Sequence, residues 1–297
     1  MIASEAKELL SGDFMTKLEQ LSFVSKKIFA GKLRGERLTK RRGESVEFAD
    51  FRSYVMGDDL RFLDWNIYAR LDKLFIKLFL QEEDLHVSVL LDVSKSMDWG
   101  EPNKGHFAKQ IAAAITYIGL VNFDRVSLYL YDDRIRDHMT GIRGRRYLPR
   151  VIDFLQQSEF DGKSDFPTAC KQFGIRHPQQ GVVLVLSDML DKAGYENGFR
   201  YLFGRSYDVY VLQILSPEEI DPPMIGDLRL TDAEDDEFAE VTAGRALINR
   251  YKQTLQAYCA RLRDYCTTRG ANYLFTDTKV SFDQVVLNYF RARGLLK

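Results

Sequence analysis

The chain has 297 residues, of which 45% are hydrophobic and 29% charged, with a net charge of −1. This is ordinary globular composition; it excludes a disordered or fibrous chain and any global field that would select nucleic acid or an anionic membrane. The length accommodates one large α/β domain with an attachment, or two modest domains.

Met1 to Leu21 mixes charged and apolar residues, and Leu9, Leu10 and Phe14 are spaced for an amphipathic helix rather than a leader sequence. No run reaches the ~18 to 20 apolar residues of a spanning helix. Cys170, Cys259 and Cys266 are an odd set without metal spacing, which fits a reducing compartment, so the expected location is cytoplasmic. Cys259 and Cys266 share a helical face and read as core. Lys26, Lys27, Lys32, Arg34, Arg37, Lys40, Arg41 and Arg42 stand against the single acid Glu36. With few interleaved aromatics, this stretch reads as a solvated arm or a contact for an anionic protein ahead of a nucleic-acid site.

The segment from Glu47 to Arg70 packs acids, arginines and aromatics together. Arg52, Arg61 and Arg70 face Asp50, Asp58, Asp59 and Asp64 in sequence, and bidentate guanidinium-carboxylate pairs can fix irregular backbone. The expectation is an ion-pair knot packed on Trp65 and Tyr68.

From His86 onward strand and helix patterns alternate, as in a doubly wound, mostly parallel sheet. Strands are expected at His86 to Leu91, Val126 to Tyr131, around Ile135, Gly181 to Ser187, Asp208 to Leu215 and Asn272 to Thr276. Helices are expected from about Phe107 to Val121, Tyr147 to Leu155, Phe166 to Phe173, Tyr195 to Phe203, Gly244 to Arg269 and Phe282 to Phe290. Leu247, Tyr251, Leu255, Tyr258 and Leu262 give the long helix an apolar stripe, and Gly270 is placed to end it. A hairpin near 226–241 interrupts the series, and its acidic turn, Asp232 to Asp236, reads as a solvated tip. The domains are therefore 1–82, an N-terminal extension, and 83–297, the α/β domain.

Two of the apolar runs end in carboxylates. The first continues into Asp92-Val93-Ser94-Lys95-Ser96, and the second ends in Ser187-Asp188. Between them lies the Gly-opened loop Gly162-Lys163-Ser164-Asp165. Alone, Asp-x-Ser-x-Ser reads equally as an Asp-Ser turn. Ligands nevertheless collect where parallel strands end, and oxygen donors without thiol or imidazole suit a hard cation, Mg²⁺ first.

At these residues the chain resembles the von Willebrand factor A fold and its metal-ion-dependent adhesion site. The resemblance implies a metal held directly or through water by Asp92, Ser94, Ser96, Ser164 and Asp188. The ion would be Mg²⁺, with Mn²⁺ or Ca²⁺ as alternatives. Ser164 stands where a Thr is usual, and Thr168 is the fallback. Residues 48–70 resemble the signature of domain-of-unknown-function family fifty-eight. Phe48, Asp50, Arg52, Tyr54, then Gly57, Asp58, Asp59, Arg61, Asp64 and Trp65, then Ala69 and Arg70 fit its pattern, with Leu63 where Ile is common. The resemblance covers about residues 30 to 297. It implies a MoxR-type AAA+ ATPase, or another protein with an exposed acidic residue, as partner.

The four histidines, His86, His106, His138 and His177, have no ligand or triad spacing, and the chain has no P-loop. A non-catalytic, metal-dependent interaction module is therefore expected ahead of the alternative, a metal-dependent phosphoesterase with Ser94 or Ser96 as nucleophile.

Overall fold

The computed structural model describes residues 9–24, 47–80, 85–177, 180–205, 207–223, 226–231 and 238–297. The basic stretch 26–42 and the acidic turn 232–236 lie outside the described residues. The chain divides into two compact units, Arg34–Asp84 and the combination of Met1–Leu33 with Leu85–Lys297.

Helix α1 (Gly12–Leu18) is capped by Ser11, whose hydroxyl accepts from Phe14 N, and it buries Phe14 and Leu18. Sequence grouped it with the segment before the sheet, but its apolar face joins the core of the larger unit. Among the contacts that hold this segment there, the Tyr117 hydroxyl donates to Glu19 at 2.7 Å, and Val24 N donates to the Leu295 carbonyl at 2.9 Å.

In the smaller unit, strands β1 (Glu47–Ser53) and β2 (Phe75–Leu80) pair antiparallel, and Leu63 and Ile76 are buried. Arg52 grips Asp58 through two bonds of 2.7 Å. That bond first, then the Val55 N–H, holds the Asp58 carboxyl below the usual carboxylate range. Arg61 pairs with its near neighbour Asp59. The expected knot differs in two respects. Asp64 caps helix α2 (Trp65–Leu71) by accepting from Asn66 N and Ile67 N, and its ion pair is with Lys77 rather than an arginine. Trp65 is 62% exposed and meets Tyr68 edge-on, so these rings are surface rather than a floor for the knot.

The larger unit is built on a sheet that is six-stranded among the described residues. Its strands in chain order are β3 (His86–Asp92), β4 (Arg125–Tyr131), β5 (Ile135–Ile142), β6 (Gly181–Ser187), β7 (Tyr207–Leu215) and, later, β10 (Asn272–Asp277). Their spatial order is β10-β7-β6-β3-β4-β5. All neighbours pair parallel except β4 with β5. This is the doubly wound, mostly parallel α/β class expected from the sequence.

The central strands are continuous apolar runs because both faces are covered. Alternate residues serve opposite faces: Val87, Val89 and Leu91 join one core and Leu90 the other, while Val182, Leu184 and Leu186 oppose Val183 and Val185. One face is covered by α1, α3 (Lys104–Val121), α4 (Leu148–Gln157) and a closing helical run that contains the π turn Val285–Tyr289. The other is covered by α5 (Phe166–Arg176), α6 (Glu196–Phe203) and part of α8 (Arg245–Thr268). Each fully buried Leu, Ile or Val contributes roughly 1.5–3 kcal/mol.

Between β7 and α8 lie the one-turn helix α7 (Pro217–Ile220) and the hairpin of β8 (Gly226–Thr231) with β9 (Phe238–Ala243). The apolar stripe of α8 is only half used. Leu262 and Cys266 are buried, but Leu247 and Tyr251 are 44% and 39% exposed. Gly270, at φ +76°, follows its last turn, a conformation that favours glycine.

Candidate metal centre

β3 and β6 are adjacent and parallel, so their carboxyl ends bring Asp92 and Asp188 to one end of the sheet. Asp92 is buried at 1% exposure. Its Oδ1 accepts from Ser94 N at 3.0 Å and from Ser94 Oγ at 2.7 Å, and its Oδ2 accepts from Ser187 Oγ at 2.7 Å. Ser94 Oγ lies 3.1 Å from Ser96 Oγ. Burial first, then the nearby Asp188 charge, pushes the Asp92 carboxyl up to about 7 against the pull of these hydrogen bonds. On the neighbouring strand the Tyr131 hydroxyl is fully buried near Asp92 and Ser187 without a hydrogen bond of ordinary geometry. Burial and then the Asp92 charge raise its pKa.

Asp188 is held from several sides. Its Oδ1 accepts from Leu190 N at 3.1 Å, and its carbonyl accepts from Gln213 Nε2 at 2.9 Å, which in turn is held by the Tyr273 hydroxyl. Its Oδ2 accepts from Lys104 Nζ at 2.8 Å, and the same ammonium donates to Glu219 Oε1 at 2.6 Å. The Lys104 side chain is wholly buried. Burial opposes its charge, but Asp188 and Glu219 outweigh that and raise its pKa above the usual lysine value. Glu219 belongs to the capping box of α7: its Oε2 accepts from Ser216 N, and the Ser216 hydroxyl accepts from Glu219 N.

The loop carrying Ser164 lies against the loop after β3, because Asp161 N donates to the Val93 carbonyl and Lys95 N to the Gly162 carbonyl, each at 3.0 Å. The packing depends on Gly105 in the first turn of α3, where a Cβ would come within 2.2 Å of the Phe160 ring. The Ser164 side chain hydrogen-bonds Asp191. Thr168 donates to Asp165, the residue that caps α5. The structure thus gathers Asp92, Ser94 and Ser96 directly, sets Asp188 beside them, and brings the Ser164 backbone alongside while its hydroxyl serves another acid.

Lys104, Glu219, Ser187 and Tyr131 are members of the cluster that sequence reading missed. One signal was available for Lys104. A cation in the first turn of a helix opposes the helix dipole, and in a helix otherwise buried along most of its length it needs acids to hold it.

The donors fit the divalent ion that the resemblance implies. Neighbouring ligands around Mg²⁺ at 2.0–2.1 Å lie about 3 Å apart, close to the spacing of Asp92 Oδ1, Ser94 Oγ and Ser96 Oγ. Among the described residues no group of three or more His, Cys, Asp or Glu gathers for a metal. A metal held here would take hydroxyl as well as carboxylate donors, a set that suits a hard cation.

The uncharacterized protein Rv1480 of Mycobacterium tuberculosis is 25% identical over 286 residues, which is 94% of this chain and 90% of its own. The crystal structure of the conserved hypothetical protein BatB from Bacteroides thetaiotaomicron matches 70% of this chain and 98% of its own, at 14% identity and a TM-score of 0.43. The SpRpn10 VWA domain matches 69% of this chain and 94% of its own, at 12% identity and a TM-score of 0.40. The sequence pattern described as protein of unknown function DUF58 matches residues 50–260, and the chain belongs to that family.

Proposed function

We propose that this protein is a metal-dependent protein-interaction module whose site at Asp92, Ser94, Ser96 and Asp188, with Ser164 in the adjoining loop, captures an acidic side chain of a partner. The observation that carries this reading is the buried Asp92 carboxylate grouped with two serine hydroxyls at the carboxyl end of the sheet. When bound there, Mg²⁺, or Mn²⁺ or Ca²⁺ in its place, supplies a Lewis-acidic position open to a carboxylate from outside. The chain itself fixes the donors. Ser187 orients Asp92, the turn through Ser94 N pins its second oxygen, and Gln213 anchors the backbone of Asp188.

The partner proposed from the family resemblance is a MoxR-type AAA+ ATPase. Because this chain has no P-loop, nucleotide hydrolysis belongs to that partner, and this protein acts as its adaptor or substrate-presenting subunit. Among the described residues no helix is long and apolar enough to cross a membrane, and all three cysteines are free thiols. Both observations support the proposed cytoplasmic location.

The test is a pull-down with Mg²⁺ or with EDTA, read by mass spectrometry. Wild type should retain its partner only with metal, and Asp92→Ala should lose it while keeping its circular dichroism. Retention unchanged by EDTA and by Asp92→Ala would reject the mechanism.

A further inference from the structure

We propose that Lys104 is a tethered internal cation that competes with the divalent metal for Asp188 and is received by Glu219 when the metal takes over that carboxylate. This inference rests on the metal-site reading above. Its basis is the double engagement of one wholly buried ammonium, 2.8 Å from Asp188 and 2.6 Å from Glu219.

Asp188 cannot turn away to meet a second cation elsewhere. Its other oxygen takes the Leu190 N–H and its carbonyl takes Gln213. A divalent ion that uses this carboxylate must therefore approach an ammonium already on it, and like charges that close repel strongly in a buried site. Lys104 must yield for the metal to bind fully.

Glu219 makes the yielding possible. It is fixed by Ser216 N at 2.7 Å on Oε2, and its carbonyl takes the Tyr251 hydroxyl at 2.6 Å. An ammonium that leaves Asp188 thus keeps a rigid carboxylate as its counter-ion rather than being stranded unpaired. In the metal-free state the same ammonium neutralises Asp188, which would otherwise be a buried acid next to buried Asp92. The cluster has two ways of balancing its charge, one with lysine and one with metal. Metal affinity is set by the difference between them.

This assignment predicts changes of opposite sign at the two residues that grip each other. Mn²⁺ binding to the full-length chain can be followed by the loss of the free-ion electron paramagnetic resonance signal. Lys104→Met removes the competitor and should lower the Mn²⁺ dissociation constant at least tenfold. Glu219→Gln removes the receiving acid, leaves Lys104 with Asp188 alone, and should raise it severalfold. Asp92→Asn, which strips the site itself, should abolish uptake.

A Lys104 whose part is merely structural gives no gain in affinity on removal, and Lys104→Met binding no tighter than wild type overturns the proposal while the metal reading stands. Should Lys104→Met fail to fold, Glu219→Gln decides alone, and an unchanged or lower dissociation constant overturns the proposal. If neither wild type nor Lys104→Met takes up Mn²⁺ at millimolar concentration, the metal reading falls and the inference falls with it. Uptake by Lys104→Met but not by wild type supports the competition for Asp188 and rejects metal-dependent capture by the wild-type protein.

Discussion

The parallel strands end differently at their two extremities. At the carboxyl ends of β3 and β6, Asp92, Asp188 and Lys104 are buried together and answer one another's charge. At the opposite end the same sheet begins with His86, Gly181 and Tyr207, and His177 packs its ring near His86, Tyr129 and Phe173. Both ends force a titratable group toward its neutral form. Burial and then Asp188 raise Asp92 to about 7, while burial and then His86 lower His177 to about 4. The carboxyl end also keeps the Lys104–Asp188 ion pair out of water. Its polar groups are costly to hold there, and this makes it the end suited to take a ligand, whereas the ring-lined end is a packing solution.

The largest break in this comparison comes from removing one partner of the buried charge cluster. Lys104→Met should destabilise the metal-free protein by roughly 3–5 kcal/mol, measured by urea unfolding in EDTA. Gly105→Ala, one residue along, should cost about 1–3 kcal/mol, because a methyl there meets the Phe160 ring. A loss below that range would mean that the ring and its loop can retreat freely. At the ring-lined end, His177→Phe should change stability by less than about 1.5 kcal/mol, since it exchanges one buried ring for another. A loss comparable to that of Lys104→Met would erase the contrast.

A further contrast is in pH dependence, where the two ends have opposite signs. Folded Asp92 keeps a proton that the unfolded chain releases near its ordinary value of 3.8, so its contribution to stability falls as pH rises from about 4 to about 7. Folded His177 refuses a proton that the unfolded chain accepts near 6.5, so its contribution is lost as pH falls from about 6.5 to about 4. In metal-free wild type the two slopes oppose each other. Relative to wild type, Asp92→Asn should make stability rise more with pH across this window, and His177→Phe should make it fall more. Urea midpoints at several pH values check both.

The strands were legible because sheet burial on two faces writes continuous apolar runs into the sequence, and Gly181–Ser187 is observed as read. Asp92, Ser94 and Ser96 were legible because they lie within five residues, where local geometry holds them together. Lys104 and Glu219 were not, because Lys104 meets Asp188 across 84 residues of sequence and Glu219 across 115, contacts that exist only after β3, β6 and β7 have paired. The stripe on α8 taught a different limit. Its period identifies a face, but whether another element covers that face is decided elsewhere, and Leu247 and Tyr251 remain substantially exposed. Trp65 and Tyr68 were misjudged for the same reason.

The reversed strand β5 has a consequence for how copies of this protein meet. Among the described residues β5 lies at one edge of the sheet with most of its residues turned to solvent, among them Arg136, Asp137 and His138. An open row of backbone donors and acceptors invites a neighbouring molecule to continue the sheet. Charged side chains along that margin disfavour such continuation, at the sheet edge away from β10.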